Sequence, residues 1–115
     1  MSDPHEIHAG LPVIAFETRD ALRGWLIDSH DSSPGVWVRL AKAGSGIRSV
    51  TFHDLLEEGL CFGWSESTRH AGDTATYLQR FTPRHTRGTT SARNLRLVAE
   101  LRAAGLMTPA GEAVL

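Results

Sequence analysis

The sequence predicts an α+β fold: a small antiparallel sheet of three to five strands packed against three or four helices in a single domain. Stretches in which apolar and polar residues alternate, as in strands, are interleaved with stretches whose apolar residues recur at every third or fourth position, as in helices. The chain has 115 residues, of which 41% are hydrophobic and 22% are charged. This size and balance suit one globular domain. The one cysteine, Cys61, excludes an internal disulfide framework and is expected to be a buried structural thiol.

The N-terminal end is expected to be a flexible tail over residues 1–12, because this stretch shows no clear period and contains both proline and glycine. The folded domain is then expected to span residues 13–115. It begins with the short apolar run Val13–Phe16. Thr18 follows as a typical N-cap and predicts a helix that extends to about Ser29.

The middle of the chain predicts a hairpin and a second helix. Residues 36–41 alternate as a strand should, with Val36, Val38 and Leu40 on one face and Trp37 on the other. Residues 47–50 are expected to return as the second strand of a hairpin. A short helix capped by Thr51 is expected to end near residue 59.

The second half predicts another hairpin and two helices. A strand over residues 61–67 places Phe62, Trp64 and Glu66 on one face, and an alternating run over residues 74–82 is expected to pair with it in antiparallel fashion. Tyr77, Gln79 and Phe81 share one face of that second strand, and Leu78 and Arg80 share the other. Hydroxyl residues up to Ser91 can cap a helix that extends to about residue 104, and Thr108 and Pro109 are typical of the start of a last helix.

Charge is distributed unevenly along the chain. Residues 1–68 contain 5 Lys and Arg against 10 Asp and Glu, whereas residues 69–115 contain 7 Arg and no Lys against 3 acids, within a formal net charge of -1. Arg80, Arg84 and Arg87 flank the hydroxyl residues before a predicted helix, a combination that favours an anion pocket. The alternative is that these arginines form structural ion pairs with Glu66, Asp73 or the acidic first half.

Five segments occur in order: Gly35-Val36-Trp37-Val38, Leu60-Cys61-Phe62-Gly63-Trp64, Arg80-Phe81-Thr82-Pro83-Arg84, Ser91-Ala92-Arg93-Asn94 and Gly105-Leu106-Met107-Thr108-Pro109-Ala110-Gly111. With these segments the chain resembles the bacterial OmpD-associated, or bacteriocin-protection, family over nearly its whole length. It departs from the family pattern at Ser65 and Glu66, where an isoleucine and an aspartate are usual, and at Gly88 and Thr90, where a serine and a tryptophan are usual. The resemblance implies a small bacterial α+β protein associated with resistance to bacteriocins or cationic antimicrobial peptides.

Together these patterns predict a polar pocket across the second hairpin that binds a small anion or a peptide carrying a carboxylate. The candidate ligand-binding residues are Trp37, Trp64, Glu66, Arg80, Arg84, Arg87 and Ser91. Two alternatives remain open: a hydrolase-like enzyme that uses Glu66 as general acid or base, and a nucleic-acid-binding module that uses the arginine-rich second half. We expect no metal, no cofactor and no membrane insertion, a cytoplasmic location because no secretory or membrane-spanning pattern is present, and a monomer or homodimer.

Overall fold

The computed structural model describes residues 6–115, so the first five residues of the expected tail lie outside the described residues. The strands in this range are β1 (Glu6–His8), β2 (Leu11–Ala15), β3 (Val36–Ala41), β4 (Trp64–Ala71) and β5 (Thr76–Pro83). The helices are α1 (Arg19–Ser29), α2 (Phe52–Phe62), α3 (Ala92–Ala103) and α4 (Pro109–Ala113).

The five strands form one sheet in the order β1-β2-β3-β5-β4. Neighbouring strands are antiparallel except β2 and β3, which run parallel. The sequence predicts an antiparallel sheet throughout, and the β2–β3 pair departs from it because α1 carries the chain back along the sheet before β3 begins. The predicted α+β class, with a small sheet packed against helices in one domain, is confirmed.

Side-chain caps begin the helices where the sequence predicts them. Thr18 Oγ1 accepts a hydrogen bond from the Ala21 N–H at 3.1 Å. Thr51 and Asp54 form a reciprocal capping box, in which each side chain accepts from the other residue's N–H at 3.0 Å. Ser91 and Thr108 cap α3 and α4 in the same way. These hydrogen bonds satisfy amides that have no partner within the helix.

The helices cover one face of the sheet. α2 lies against β4 and contacts the other three helices. Val36, Val38 and Leu40 share the covered face, as predicted, and pack in one core with Trp64 and Phe81. The rings of Trp64 and Phe81 lie 5.0 Å apart, and the Trp64 indole N–H donates to the His30 carbonyl oxygen at 3.2 Å. Trp64 is therefore a core residue with a satisfied polar atom.

The other face of the sheet is concave. A flat sheet would separate its two edge strands by about 19 Å, at about 4.8 Å for each step between strands, yet the ring of His8 on β1 lies 4.3 Å from the ring of His70 on β4. The sheet is therefore strongly curled. Trp37 lies inside the curl with Val13 and Leu78, is 5% exposed, and has an indole N–H without a hydrogen-bond partner among the described residues.

The predicted tail is wrong for residues 6–12, which form β1 and the start of β2. Ala9 and Gly10 join these strands with φ angles of 46° and 82°. Positive φ at both central residues is typical of the type I′ hairpin turn. The sequence hides this turn because alanine seldom adopts positive φ, so Ala9-Gly10 does not resemble the usual Asn-Gly signal.

Residues 47–50 do not form the predicted hairpin strand. Ser49 Oγ accepts a hydrogen bond from the Ala41 N–H at 2.9 Å, and the Val50 N–H donates to the Phe16 carbonyl oxygen at 2.9 Å. Val50 is buried in the core on the helix side. A side-chain hydrogen bond and one buried valine therefore hold this segment in place of a strand ladder.

Helix α2 extends further than the sequence predicts, so the following strand begins at Trp64 and Phe62 belongs to the helix. Gly59 does not end the helix. A Cβ on Gly59 would lie only 2.9 Å from the Trp64 carbonyl oxygen, so this glycine permits a close approach between helix and strand. The helix ends instead at Gly63, whose φ of 75° is left-handed.

Helix α4 docks on the C-terminal end of α2. The N–H and the hydroxyl of Thr108 both donate to the Cys61 carbonyl oxygen, at 3.1 and 2.5 Å. Gly111 is buried so closely that a Cβ would overlap the carbonyl oxygens of Leu60 and Cys61. The Cys61 thiol is buried, as predicted, and burial raises its pKa. The segments 60–64 and 105–111, which both contribute to the family resemblance, therefore pack against each other.

A buried carboxylate joins α1 to α2. Glu58 is 1% exposed and accepts from Arg19 Nε at 2.6 Å and from Arg23 Nη1 at 2.9 Å. Arg23 also donates to the Leu106 carbonyl oxygen at 2.8 Å, which attaches the loop before α4 to the same network. Both Glu58 oxygens are thus paired with guanidinium groups, as a buried charge requires.

Candidate functional site

Strand β4 contains one residue more than the segment of β5 that it faces. Glu66 lies opposite Phe81 and Arg69 lies opposite Gln79, so three steps along β4 match two along β5. This irregularity is a β-bulge. Side chains three residues apart in a regular strand point to opposite faces. The bulge reverses that alternation, and Glu66 and Arg69 line the same cavity on the helix side of the sheet.

The bulge is stabilised from within the sheet by Gln79. This side chain is 4% exposed, and its Nε2 donates to the Thr68 carbonyl oxygen at 3.2 Å. Thr68 lies inside the bulge, where regular ladder pairing is interrupted. The buried amide thus satisfies a bulge carbonyl and fixes the direction of the side chains on either side of it.

The cavity beside the bulge, called here the bulge cleft, has a volume of about 420 Å³. It is lined by Phe52, Glu66, Ser67, Arg69, Tyr77 and Gln79. The guanidinium carbon of Arg69 lies 3.8 Å from the centre of the Tyr77 ring, a cation–π stack that orients the planar group. Phe52, the first residue of α2, is 42% exposed and adds an apolar wall.

The two charges of the bulge cleft are available to a ligand. Neither Glu66 nor Arg69 forms an ion pair with another side chain in the described range. A carboxylate, a stacked guanidinium and two aromatic rings therefore line one open concavity. Its volume falls within the range of about 300–1,000 Å³ typical of small-ligand sites.

The structure does not combine Trp64, Glu66, Arg80 and Arg84 in the one pocket that the sequence predicts. Trp64 lies in the core, and Glu66 lies in the bulge cleft. Arg80 pairs with Trp37 across β3 and β5 and shares its concave face, on the side of the sheet opposite to Glu66. The physical reason is strand alternation, because Glu66 lies opposite Phe81, the neighbour of Arg80.

Arg84 lies in a separate cavity of about 250 Å³ at the end of the β4–β5 hairpin. This second cavity, called here the loop cavity, is lined by Ser65, Pro83, Arg84, His85, Thr86 and Thr89. Arg87 is exposed on the same loop. Ser91 serves as the N-cap of α3, where its Oγ accepts from the Asn94 N–H at 3.2 Å.

The late arginines do not neutralise the acidic first half. Ion pairs within the described residues join Arg19, Arg23 and Arg39 to acids, and the one late pair joins Arg102 to Glu112. The remaining late arginines, which have no carboxylate partner among residues 6–115, are Arg69, Arg80, Arg84, Arg87, Arg93 and Arg96. Structural ion pairs with Glu66 or Asp73, the alternative considered for Arg80, Arg84 and Arg87, are not formed.

Sequence reasoning identified Glu66 as a site residue but missed the other residues that line the cleft, which are Phe52, Ser67, Arg69, Tyr77 and Gln79. The shared face of Tyr77 and Gln79 is predicted by alternation and is confirmed, because both line the cleft. Arg69 carries no such signal, since regular alternation places it away from Glu66. Phe52 lies at the first position of α2 and is 42% exposed, because the core no longer covers the helix there.

The model of one protein family matches residues 14–114, nearly the whole chain. The chain belongs to the family described as a domain of unknown function, DUF8412. No curated protein and no solved structure gives a significant match. The family description states no function, so the chemistry of the cleft must be argued from its own residues.

Among the described residues, Glu66 is the one carboxylate that lines the bulge cleft, so the cleft does not combine two carboxylates for acid–base chemistry. Among residues 6–115, no three histidine, cysteine or acidic side chains cluster as ligands of a metal ion would. None of the helices in the described range is long and apolar enough to cross a lipid bilayer.

Proposed function

We propose that the protein binds a short peptide with free termini in the bulge cleft. The observation that carries the proposal is the placement of an unpaired carboxylate, Glu66, and an unpaired, stacked guanidinium, Arg69, on one side of the sheet. Glu66 is suited to the ligand's ammonium group and Arg69 to its carboxylate. The rings of Phe52 and Tyr77 offer apolar surface to a side chain between them.

The backbone spacing of Glu66 and Arg69 sets the length of the peptide to test. Glu66 and Arg69 lie opposite residues of β5 that are two positions apart, which corresponds to about 7 Å along a strand. Two extended residues span up to about 7 Å from end to end. A dipeptide matches this backbone spacing and is the shortest peptide that carries its ammonium group and its carboxylate on different residues.

The resemblance to bacteriocin-protection proteins also supports a peptide as the ligand. Resistance to bacteriocins or cationic peptides, a bacterial source and a cytoplasmic location remain predictions from the sequence. The bulge cleft is suited to bind such peptides, because it presents a positive and a negative side chain to their charged termini.

The test uses dileucine and two blocked versions of it, one N-acetylated and one C-amidated. Titrations of the isotope-labelled protein are followed by NMR at Tyr77, the one tyrosine of the chain. We expect dileucine to bind, and each blocked version to bind about tenfold more weakly, since one charge-assisted hydrogen bond contributes roughly 1.5–3 kcal/mol before solvent screening.

Variants assign each charge to its partner. In Glu66→Gln, N-acetylation of the ligand should no longer weaken binding, and in Arg69→Gln, C-amidation should no longer weaken it. Glu100→Gln and Arg93→Gln change the same groups at exposed positions on α3 and serve as controls. If blocking either terminus weakens binding equally in the wild type and in both cleft variants, or if dileucine does not bind, the proposal is wrong.

A further inference from the structure

We infer that the loop cavity at Arg84 is a second, separate site, which binds a phosphate monoester. This site does not depend on the peptide proposed for the bulge cleft, because the lining residues of the two cavities are entirely different. It lies at the far end of the β4–β5 hairpin, where the chain leaves β5 and approaches α3.

The loop that forms this cavity is held at both ends by backbone hydrogen bonds. The Arg84 N–H donates to the Gly63 carbonyl oxygen at 2.8 Å, which extends the hairpin ladder by one step. The Gly88 N–H donates to the Val114 carbonyl oxygen at 3.2 Å, which fastens the loop to the C-terminal segment. Gly88 has a φ of 77°, and this left-handed conformation turns the chain back toward α3. The cavity is therefore formed by a fixed loop.

The side chains of the loop cavity can all donate hydrogen bonds, apart from Pro83. Arg84 contributes a guanidinium, His85 an imidazole, and the remaining three residues hydroxyls, of which that of Thr89 also donates to the Thr86 carbonyl oxygen at 3.3 Å. No carboxylate lines the cavity, and Arg84 forms no ion pair with any described residue. Such a lining favours an anion and disfavours a cation.

The arrangement of the donors favours phosphate over a carboxylate. Ser65 belongs to β4, whereas Arg84, Thr86 and Thr89 belong to the loop that follows β5. Donors on several sides suit a tetrahedral group with three free oxygens, and a guanidinium matches the geometry of phosphate. The helix terminus is not needed, because Ser91 already caps the first turn of α3.

The size of the loop cavity favours an ester over free phosphate. The volume of about 250 Å³ corresponds to about eight water molecules at about 30 Å³ each, which leaves space beyond a phosphate ion. Pro83 gives this space an apolar wall. A phosphate attached to a small organic group would fill the cavity more completely than the free ion.

Calorimetric titrations with glycerol phosphate, inorganic phosphate and glycerol test this inference. We expect glycerol phosphate to bind most tightly, inorganic phosphate more weakly, and glycerol not at all. Arg84→Gln should weaken glycerol phosphate binding at least tenfold, whereas Arg93→Gln, an exposed arginine of α3, should leave it unchanged. If inorganic phosphate binds as tightly as the ester, the site recognises the free ion and the inferred ligand class is wrong.

Further outcomes separate this site from the bulge cleft. Arg84→Gln should retain dileucine binding, and Arg69→Gln should retain glycerol phosphate binding. Equal loss of glycerol phosphate binding in Arg84→Gln and Arg93→Gln would show attraction by overall charge and would overturn the inference. Absence of glycerol phosphate binding to the wild-type protein would overturn it as well, and neither result would affect the peptide proposal.

Discussion

Replacement of Glu58 by methionine tests whether the buried ionic network stabilises the fold. The change removes both hydrogen bonds that join Glu58 to Arg19 and Arg23, at 2.6 and 2.9 Å. Each charge-assisted bond contributes about 1.5–3 kcal/mol, so the gross loss is about 3–6 kcal/mol. A buried methionine side chain in its place stabilises the fold by roughly 1.5–3 kcal/mol through the hydrophobic effect.

The rest of the change in unfolding free energy depends on Arg19 and Arg23, which lose Glu58 as a partner. Their side chains are 32% and 24% exposed, and Arg19 keeps its bond to Glu57 while Arg23 keeps its bond to the Leu106 carbonyl oxygen. Partial hydration therefore limits the cost of leaving them without Glu58. We expect Glu58→Met to lower the free energy of unfolding by about 1.5–3 kcal/mol, at or below the lower end of the range of about 3–5 kcal/mol for broken buried pairs.

Urea unfolding followed by tryptophan fluorescence measures this change, because the three tryptophans all lie at buried or half-buried positions. The midpoint should fall while the slope stays the same. Glu100→Gln, an exposed change on α3, should alter stability by less than about 0.5 kcal/mol. A Glu58→Met protein as stable as the wild type would refute the reasoning, since it would mean that the network gives no net stabilisation over an apolar contact.

Two more predictions concern the C-terminal helix. Gly111→Ala should destabilise the protein by more than about 2 kcal/mol, because the added methyl group would overlap buried carbonyl oxygens. Gly24→Ala on α1 is the control and should be neutral or slightly stabilising, since the space around Gly24 is open. The urea midpoints of both variants test this prediction. The hydrogen bond from Arg102 lowers the pKa of Glu112, so its stabilising effect is complete above the ordinary carboxyl pKa of 4.5 and is lost as the pH falls through the lowered value. Urea midpoints measured across the acidic range should show this loss, and Arg102→Gln should reduce it; an equal acid dependence in both proteins would contradict the assignment.

The sequence reveals those features that depend on neighbouring residues. The caps at Thr18, Thr51, Ser91 and Thr108 are predictable because each is a hydrogen bond between residues three positions apart. The shared core face of β3 follows from simple alternation in the same way.

Features that depend on strand pairing are hidden from the sequence. The predicted partner of β3 at residues 47–50 is replaced by β5, which begins 35 positions after the end of β3, at Thr76 against Ala41. The pocket predicted around Glu66 fails for a related reason, since Arg80 lies on the other face and the true neighbour, Arg69, is displaced by the bulge. No local pattern distinguishes a strand that contains an extra residue from a regular one.

The extra residue in β4 makes the register of strand pairing a determinant of ligand chemistry. In a regular strand, residues three positions apart point to opposite sides of the sheet, so Glu66 and Arg69 share a side only because the bulge lies between them. Deletion of Ser67 or Thr68 would remove the extra residue and leave the two charges two positions apart, which keeps them on one side in a regular strand. In other members of the DUF8412 family, a glutamate and an arginine separated by one residue would therefore share a side without a bulge, whereas a pair separated by two residues needs the bulge to do so.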